Sequence, residues 1–322
     1  MRCRTCHTKA VINMRHHRLS LCKDHYLDWF VEQTGKTIKK YHMFGHSQRV
    51  LVAVSGGKDS LSLWDVLWRL GYNADGLYIN LGIGADGEGG LPYSDLSAEH
   101  ASRFASERGL KLLQVNIRQE YGETIPEIAA RTRHGGDRPC SVCGLVKRHV
   151  MNRVAAQGGY AVLTTAHNLD DEAAVLFSNA LTWSSELLRR QAPVLEEGEG
   201  LTRKAKPFCR VYERESAAYA ILRGIPYIHD ECPYAEGSTT LYYKEILNQL
   251  ETKRPSSKLT YYTTFLKAKD EGLFTPEPPE EHKALHPCPS CGQLTSAAER
   301  CAFCRLVPGL KPGASPDQAT SR

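Results

Sequence analysis

The stretch "VLVAVSGGKDS" at residues 50–60 constrains the fold more than any other segment of the chain. Its apolar, valine-rich start predicts a buried strand over 49–54. Two glycines end that strand, and "DSLSLWDVLWRLG" then places Leu63, Leu67 and Leu70 on one helical face before a glycine stop. A strand that turns through glycines into a helix lets a phosphate approach backbone N–H groups at the positive end of the helix. The competing reading is a strand–helix turn with no nucleotide. The pattern continues with "GLYINLGIG" as a second strand, 97–108 as a helix and "LKLLQVNI" as a third strand. "YAVLTTAHNLDDEAAVLFSNAL" repeats strand, turn and helix. Such alternation predicts an α/β fold, a doubly wound parallel sheet that binds ligands at the carboxyl ends of its strands.

Eleven cysteines divide the chain further. Cys3, Cys6, Cys22 and His25 form C-x2-C-x15-C-x2-H, and Cys288, Cys291, Cys301 and Cys304 form C-x2-C-x9-C-x2-C. Each group offers four soft ligands on two tight knuckles, as a closed tetrahedral zinc site requires. Closed sites have no open position, so both are assigned to folding and RNA contact rather than catalysis. No internal repeat is visible apart from these two ends. Cys140 and Cys143 in "RPCSVCGLVKR" and Cys232 in "HDECPYAEG" remain, with Cys209 outside any pattern. A lone C-x2-C pair is redox-active, zinc-binding or inert, and the residues themselves leave that open. The pair sits in a basic segment, where a thiolate is favoured.

At 322 residues and 41% apolar content, the chain is long enough for more than one unit and a sizeable core. It has no apolar run of about eighteen residues, and "MRCRTCHTKA" lacks the apolar centre of a secretory signal. A soluble cytoplasmic protein with no membrane partner is expected, with reduced thiols rather than disulfides. The net charge of +5 is unevenly placed. Residues 1–49 hold ten Lys/Arg against three Asp/Glu, and residues 131–153 hold six against one. Two basic blocks suit a polyanion such as RNA, the alternative being an ordinary solvated surface. The acidic, proline-rich "TPEPPEEHKALHP" reads as a linker. The expected organisation is a zinc finger over 1–30, a catalytic domain over 31–274, a linker over 275–287, a zinc ribbon over 288–310 and a disordered tail over 311–322.

The ATPase P-loop motif needs glycine at 52 and Ser or Thr after the lysine, whereas Val52 and Asp59 stand there. "SGGKDS" instead resembles the pyrophosphate loop of the N-type ATP pyrophosphatases, a Rossmann-like family whose members adenylate a substrate oxygen and release pyrophosphate. That resemblance makes Ser55, Gly56, Gly57, Lys58 and Ser60 phosphate contacts, Ala53 and Ile79 adenosine contacts, and Asp59 a carboxylate on the Mg2+ side. The order "HYLDWF", "SGGKDS", "CSVCGLVKR", "HNLDDEAAVLF", "LRGI", "ECP" and a terminal knuckle is similar to the tRNA 2-thiolation enzymes of the two-thiouridine synthetase group, most of all its 2-thioribothymidine branch. The likeness covers residues 1 to about 305.

In that group, three cysteines at the positions of Cys140, Cys143 and Cys232 hold a four-iron, four-sulfur cluster. Thiolates are the usual protein ligands of such clusters, and three rather than four leave one iron position open. The competing readings are a persulfide relay from Cys140 or Cys143 with Cys232, and a third zinc site. Lys147 matches a group that holds a phosphate or the charge on the activated oxygen, and also contacts ATP. Asp171 matches one that positions the uridine or moves a proton. A surface lysine and a helix-capping aspartate are the plain alternatives. The family more often has glycine where Ala166 stands, in a loop that approaches ATP. The glycine-rich 84–94 segment reads as a flexible loop that orders over substrate.

The resemblance therefore implies ATP-dependent adenylation of O2 on a tRNA uridine, followed by sulfur transfer to C2, with ATP, Mg2+, two Zn2+ and the cluster as cofactors. It also implies a ubiquitin-like carrier ending in a thiocarboxylate as sulfur donor, and a homodimer. A lysidine-forming pyrophosphatase leaves the three cysteines without a role. A zinc-dependent RNA-binding module with a structural nucleotide loop leaves "SGGKDS" and Lys147 unexplained. The cysteine framework does not separate T-loop ribothymidine from the wobble uridine. The basic amphipathic segment "MRHHRLSLCKDHYLDWFVEQTGKTIKKYHMF" and "ERCAFCRLV" look more like the T-loop enzymes than the anticodon ones, and that resemblance implies a folded elbow gripped through its phosphates rather than bases stacked on aromatic rings.

Overall fold

The computed structural model describes residues 1–84, 91–132, 139–198, 201–235, 237–274 and 285–307. The chain begins with a hairpin, β1 (Ile12–Met14) and β2 (Leu19–Leu21), and continues into α1 (Lys23–Lys40). Then follow β3 (Val50–Val54), α2 (Lys58–Arg69), β4 (Ala74–Asn80), α3 (Tyr93–Arg108), β5 (Leu112–Asn116), α4 (Ile117–Tyr121) and α5 (Ile125–Ala130). Next come α6 (Pro139–Gln157), β6 (Val162–Thr164), α7 (Leu169–Leu181), α8 (Ser185–Arg190), β7 (Val194–Leu195), β8 (Arg203–Ala205) and α9 (Glu213–Arg223). The last elements are α10 (Thr239–Lys253), α11 (Ser257–Asp270), the pair β9 (His286–Pro287) and β10 (Leu294–Thr295), and α12 (Ala302–Leu306).

The central sheet has the order β5-β4-β3-β6-β8-β7 and is parallel except for the antiparallel edge strand β7. Strand β3 shows why it lies in the middle. Val50, Val52 and Val54 enter one core with Leu61, Trp64, Phe104 and Phe30. Leu51 enters the other with Leu77, Leu163 and the α6 valines 142, 146, 150 and 154. Side chains alternate across a strand, so a strand buried on both faces has to be apolar throughout. Helices α1, α2, α3 and α9 cover the first face, and α5, α6 and α12 the second. Chain order reverses between β3 and β6, which lie side by side, and their carboxyl ends form the crevice where such sheets bind ligands.

Two features pin the helices around that crevice. The fully buried Asp65 accepts from Arg108 at 2.9 Å, Arg223 at 3.1 Å and the Tyr219 hydroxyl at 2.7 Å, tying α2 to α3 and α9. A buried carboxylate is tolerable only with such partners. Asn168 and Asp171 form a reciprocal capping box at the start of α7, which fixes where the chain leaves β6.

Helix α1 runs through the expected 30/31 boundary without a break. Helix α3 starts one turn before the expected residue 97, after Pro92. Of the loop expected over 84–94, residues 85–90 lie outside the described residues, as do 275–284 of the expected linker and everything after 307.

Candidate functional site

The glycine-rich turn leaves β3 at Ser55 and enters α2 at Lys58. Gly56 has φ +76°, and a Cβ there would lie 2.5 Å from the Ser97 carbonyl oxygen and 2.9 Å from the Ser97 Cα. Only glycine meets both conditions, so α3 presses directly on the loop. The Ser60 Oγ accepts from the Ser55 N–H at 3.0 Å, donates to the Gly57 carbonyl at 3.0 Å and lies 3.1 Å from the Ser55 Oγ. The loop is thus closed on itself, with the N-terminus of a twelve-residue helix behind it. Ala53 is half-buried near the end of β3, Ile79 is buried near the end of the adjoining β4, and Ala166 is half-buried just after β6.

Charged residues beyond the motif complete the turn, and no local pattern in the chain points to them. Lys58 Nζ lies 3.1 Å from Asp59 Oδ2 and 2.9 Å from Glu213 Oε1. Glu213 Oε2 receives Lys244 at 3.1 Å, and Lys244 also reaches Asp171 Oδ1 at 2.5 Å. The Ser216 hydroxyl donates to Asp59 Oδ1 in a short hydrogen bond. Burial raises the Asp59 carboxyl despite Lys58 and Ser216. Burial also opposes ionisation of Glu213, but Lys244 and Lys58 outweigh it and hold that carboxyl at about 2. A proton arriving here therefore goes to Asp59 before Glu213. Asp171 is both a helix cap, through its Oδ2 and the Asn168 N–H at 3.0 Å, and a partner of Lys244.

The three remaining thiols sit on the same edge of the sheet. The Ile228 N–H donates to the Gly56 carbonyl at 3.1 Å, which lays the segment leading to Cys232 against the loop. Cys140 Sγ lies 3.4 Å from the Tyr234 carbonyl, so the first turn of α6 meets the 232–235 turn. Burial pushes the Cys143 thiol up, Lys147 pulls it down, and Cys232 and Cys140 push it up again. Cys140, Cys232 and Lys147 therefore all lie near enough to Cys143 to act on its thiol. The basic segment was expected to favour a thiolate, but at Cys143 burial outweighs Lys147. Helix α3 spans both halves of the site, with Ser97 against Gly56 and Tyr93 raised by burial and by Cys232. Lys147 is exposed, one helical turn beyond Cys143. Cys209 is fully buried in the first core, with its thiol pushed up to about 12 by burial.

At each end, four ligand atoms converge to within 4.8 Å of one another. Tetrahedral zinc with Zn–S near about 2.3 Å has ligand–ligand edges of about 3.8 Å. The Cys6–Cys22 and Cys291–Cys301 sulfur separations are 3.7 and 3.8 Å. The donor sets and their spacing therefore fit zinc. Local structure explains the fit, since Cys22 caps α1 and Cys301 caps α12, so each helix start delivers two ligands three residues apart.

The strand–SGGKDS–helix turn at the switch of a parallel sheet defines the class, an N-type ATP pyrophosphatase fold, and residues 27–237 match the PP-loop domain. Residues 2–27 match the N-terminal LIM domain of the 2-thiouridine synthetase TtuA. The chain belongs to the TtuA family. It is 49% identical to tRNA-5-methyluridine(54) 2-sulfurtransferase of Thermus thermophilus, over 95% of this chain and 91% of that protein. It is 40% identical to the protein of the same name from Pyrococcus horikoshii, over 97% and 94%. Among solved structures it is similar to the U34-tRNA thiolase NcsA of Methanococcus maripaludis with its 4Fe-4S cluster, at TM-score 0.75, 25% identity and 95% coverage of both chains.

Proposed function

We propose that the chain is an ATP-dependent tRNA 2-sulfurtransferase acting on ribothymidine 54 in the T-loop. The observation that carries this reading is the meeting of the glycine loop and the three thiols on one edge of the sheet, joined by the Ile228–Gly56 hydrogen bond and by α3. Relatives at 49% and 40% identity bear the name of a position-54 enzyme, which supports the choice of base.

The nucleotide phosphates take the backbone N–H groups of Gly56 and Gly57, the Ser55 and Ser60 hydroxyls and the Lys58 ammonium, with Asp59 on the Mg2+ side. Ala53, Ile79 and Ala166 line the adenosine. The pyrimidine O2 attacks the α-phosphorus, an O–P bond forms, and pyrophosphate leaves. Sulfur then bonds to C2 as the C2–O bond breaks, and AMP departs with the oxygen. A carbonyl oxygen leaves poorly until it carries the adenylyl group. The N3 proton has to leave in the first step and return in the second, and Asp171 carries it. Lys147 faces the charge that develops on the oxygen. Cys140, Cys143 and Cys232 hold a 4Fe–4S cluster, which supplies when bound an iron position without a protein ligand, open to sulfur.

The two end groups hold structural zinc, as a finger at the N-terminal side and a ribbon at the C-terminal side of the catalytic domain. A ubiquitin-like thiocarboxylate carrier supplies the sulfur, and the enzyme works as a homodimer in the cytoplasm. No described helix is long and apolar enough to cross a membrane.

Mass spectrometry of tRNA nucleosides from cells with and without the protein tests the assignment. Loss of 2-thioribothymidine with wobble 2-thiouridine intact is expected. The opposite pattern would move the target to the wobble base named for the archaeal structural relative.

A further inference from the structure

We propose that Glu213 is a positioning residue that ties occupancy of the phosphate loop to the freedom of Asp171, an inference that rests on the functional reading above. The charged groups form one chain, Asp171–Lys244–Glu213–Lys58–Asp59. Glu213 is its centre, holding the loop lysine with one carboxylate oxygen at 2.9 Å and Lys244 with the other at 3.1 Å. Its own place is fixed. The Glu213 N–H donates to Asp170 Oδ2 at 2.9 Å, and Asp170 is paired with the buried Lys258 at 2.5 Å. The Ser216 hydroxyl, one turn on, lies within hydrogen-bonding distance of both the Glu213 carbonyl, at 2.9 Å, and Asp59.

Three carboxylates share two ammonium groups, which leaves one excess negative charge beside a loop built to receive phosphate. A nucleotide cannot gain Lys58 without taking it from Glu213. Once Lys58 turns to the phosphates, Glu213 has only Lys244 to pair with. Lys244 then moves toward Glu213, and its hold on Asp171 weakens. In these partly buried surroundings such exchanges are stronger than on an open surface. Asp171 is thereby released as a proton carrier when the loop is filled, and is held by Lys244 when the loop is empty.

The test uses the full-length holoenzyme, with calorimetric titration of a non-hydrolysable ATP analogue plus Mg2+ and single-turnover pyrophosphate release with tRNA. Glu213→Gln keeps the shape and removes the charge. It should bind the analogue at least as tightly as wild type, because Lys58 is no longer held back. Its pyrophosphate release should slow by about tenfold or more, because Lys244 closes on Asp171. Since that loss runs through Lys244, it should disappear in a Lys244→Met background while the effect on nucleotide affinity remains. A merely structural ion pair does not give this split.

Rates and affinities of Glu213→Gln within about twofold of wild type would overturn the inference, as would the same rate loss in both backgrounds. Lys244→Met alone gives an independent reading. It should weaken analogue affinity by more than about twofold, because Glu213 then has Lys58 alone to hold, and change the rate by about fivefold or more; an unchanged rate overturns the coupling. A wild type that neither binds the analogue nor releases pyrophosphate with tRNA would overturn the functional reading and this inference together. A working wild type matched by Glu213→Gln overturns the inference alone.

Discussion

Replacing Gly56 by alanine separates two reasons for a glycine that are usually confounded. The first is conformational. At φ +76°, a residue with a Cβ costs about 1–2 kcal/mol more than glycine. The second is steric, because the new methyl meets backbone atoms of α3 at 2.5 and 2.9 Å, which cannot swing aside as a side-chain tip does. Forcing a group into packed structure costs about 1–3 kcal/mol, so the total is about 2–5 kcal/mol. Gly71 is the control. Its φ is +75°, nearly the same, but nothing lies within 4 Å of its would-be Cβ, so Gly71→Ala should carry only the first cost. Gly57 has φ −84° with only the Ser55 Oγ at 3.4 Å, and Gly57→Ala should cost less than about 1 kcal/mol. Urea unfolding of the three zinc-replete variants, with m-values compared, measures the series. Equal losses for Gly56→Ala and Gly71→Ala, within about 0.5 kcal/mol, would refute the claim that α3 braces the loop.

Alanine at Cys140, Cys143 or Cys232 should remove iron and thiolation while leaving ATP binding nearly intact, and Cys209→Ala should do neither. Anaerobic metal analysis with nucleotide titration and tRNA mass spectrometry checks both, and thiolation by an iron-free Cys232→Ala protein would point to a persulfide relay. The protein should contain about two zinc ions per chain beside the iron, and Cys22→Ala or Cys301→Ala should unfold its own end without stopping adenylation. Immediate loss of ATP turnover on zinc chelation, with folding unchanged, would contradict that. Burial, with Arg153 adding to it, lowers His149 to about 4, while the unfolded imidazole takes its proton near 6.5. Stability should therefore fall as pH drops from 6.5 to 4, by about 3 kcal/mol relative to His149→Phe, in urea unfolding at a series of pH values.

The features legible in the sequence were those written in consecutive residues. The 55–60 turn and the cap of α7 depend on neighbours a few positions apart, and each ligand set is two pairs whose members are three positions apart, so spacing alone displays them. Glu213 and Lys244 were invisible for the opposite reason. They meet Lys58 and Asp171 only because α9 and α10 fold back over the sheet, and Glu213 is 155 positions from the lysine it holds. Helix α6 was missed for a third reason. Its core residues Val142, Val146, Val150 and Val154 repeat at helical spacing, but valine is stiff at χ1 and is a weak helix former, so its local preference points toward a strand. Packing against the sheet and the C-terminal knuckle decides the matter, with Phe303 of α12 stacked on His149 at 3.6 Å.

Helix α1 carries two ligands of the N-terminal group, Cys22 at its cap and His25 in its first turn, and also the core residues Tyr26, Phe30 and Ile38. Its helical phase therefore sets the registration of the two units. One residue inserted between His25 and Phe30 would rotate the knuckle by about 100° and lift it by about 1.5 Å. His16 would then swing away from Glu215, which it meets at 2.6 Å, two residues along α9 from Glu213. Length changes in this stretch are tolerable only in near-whole turns, so its residue count is as constrained as its composition.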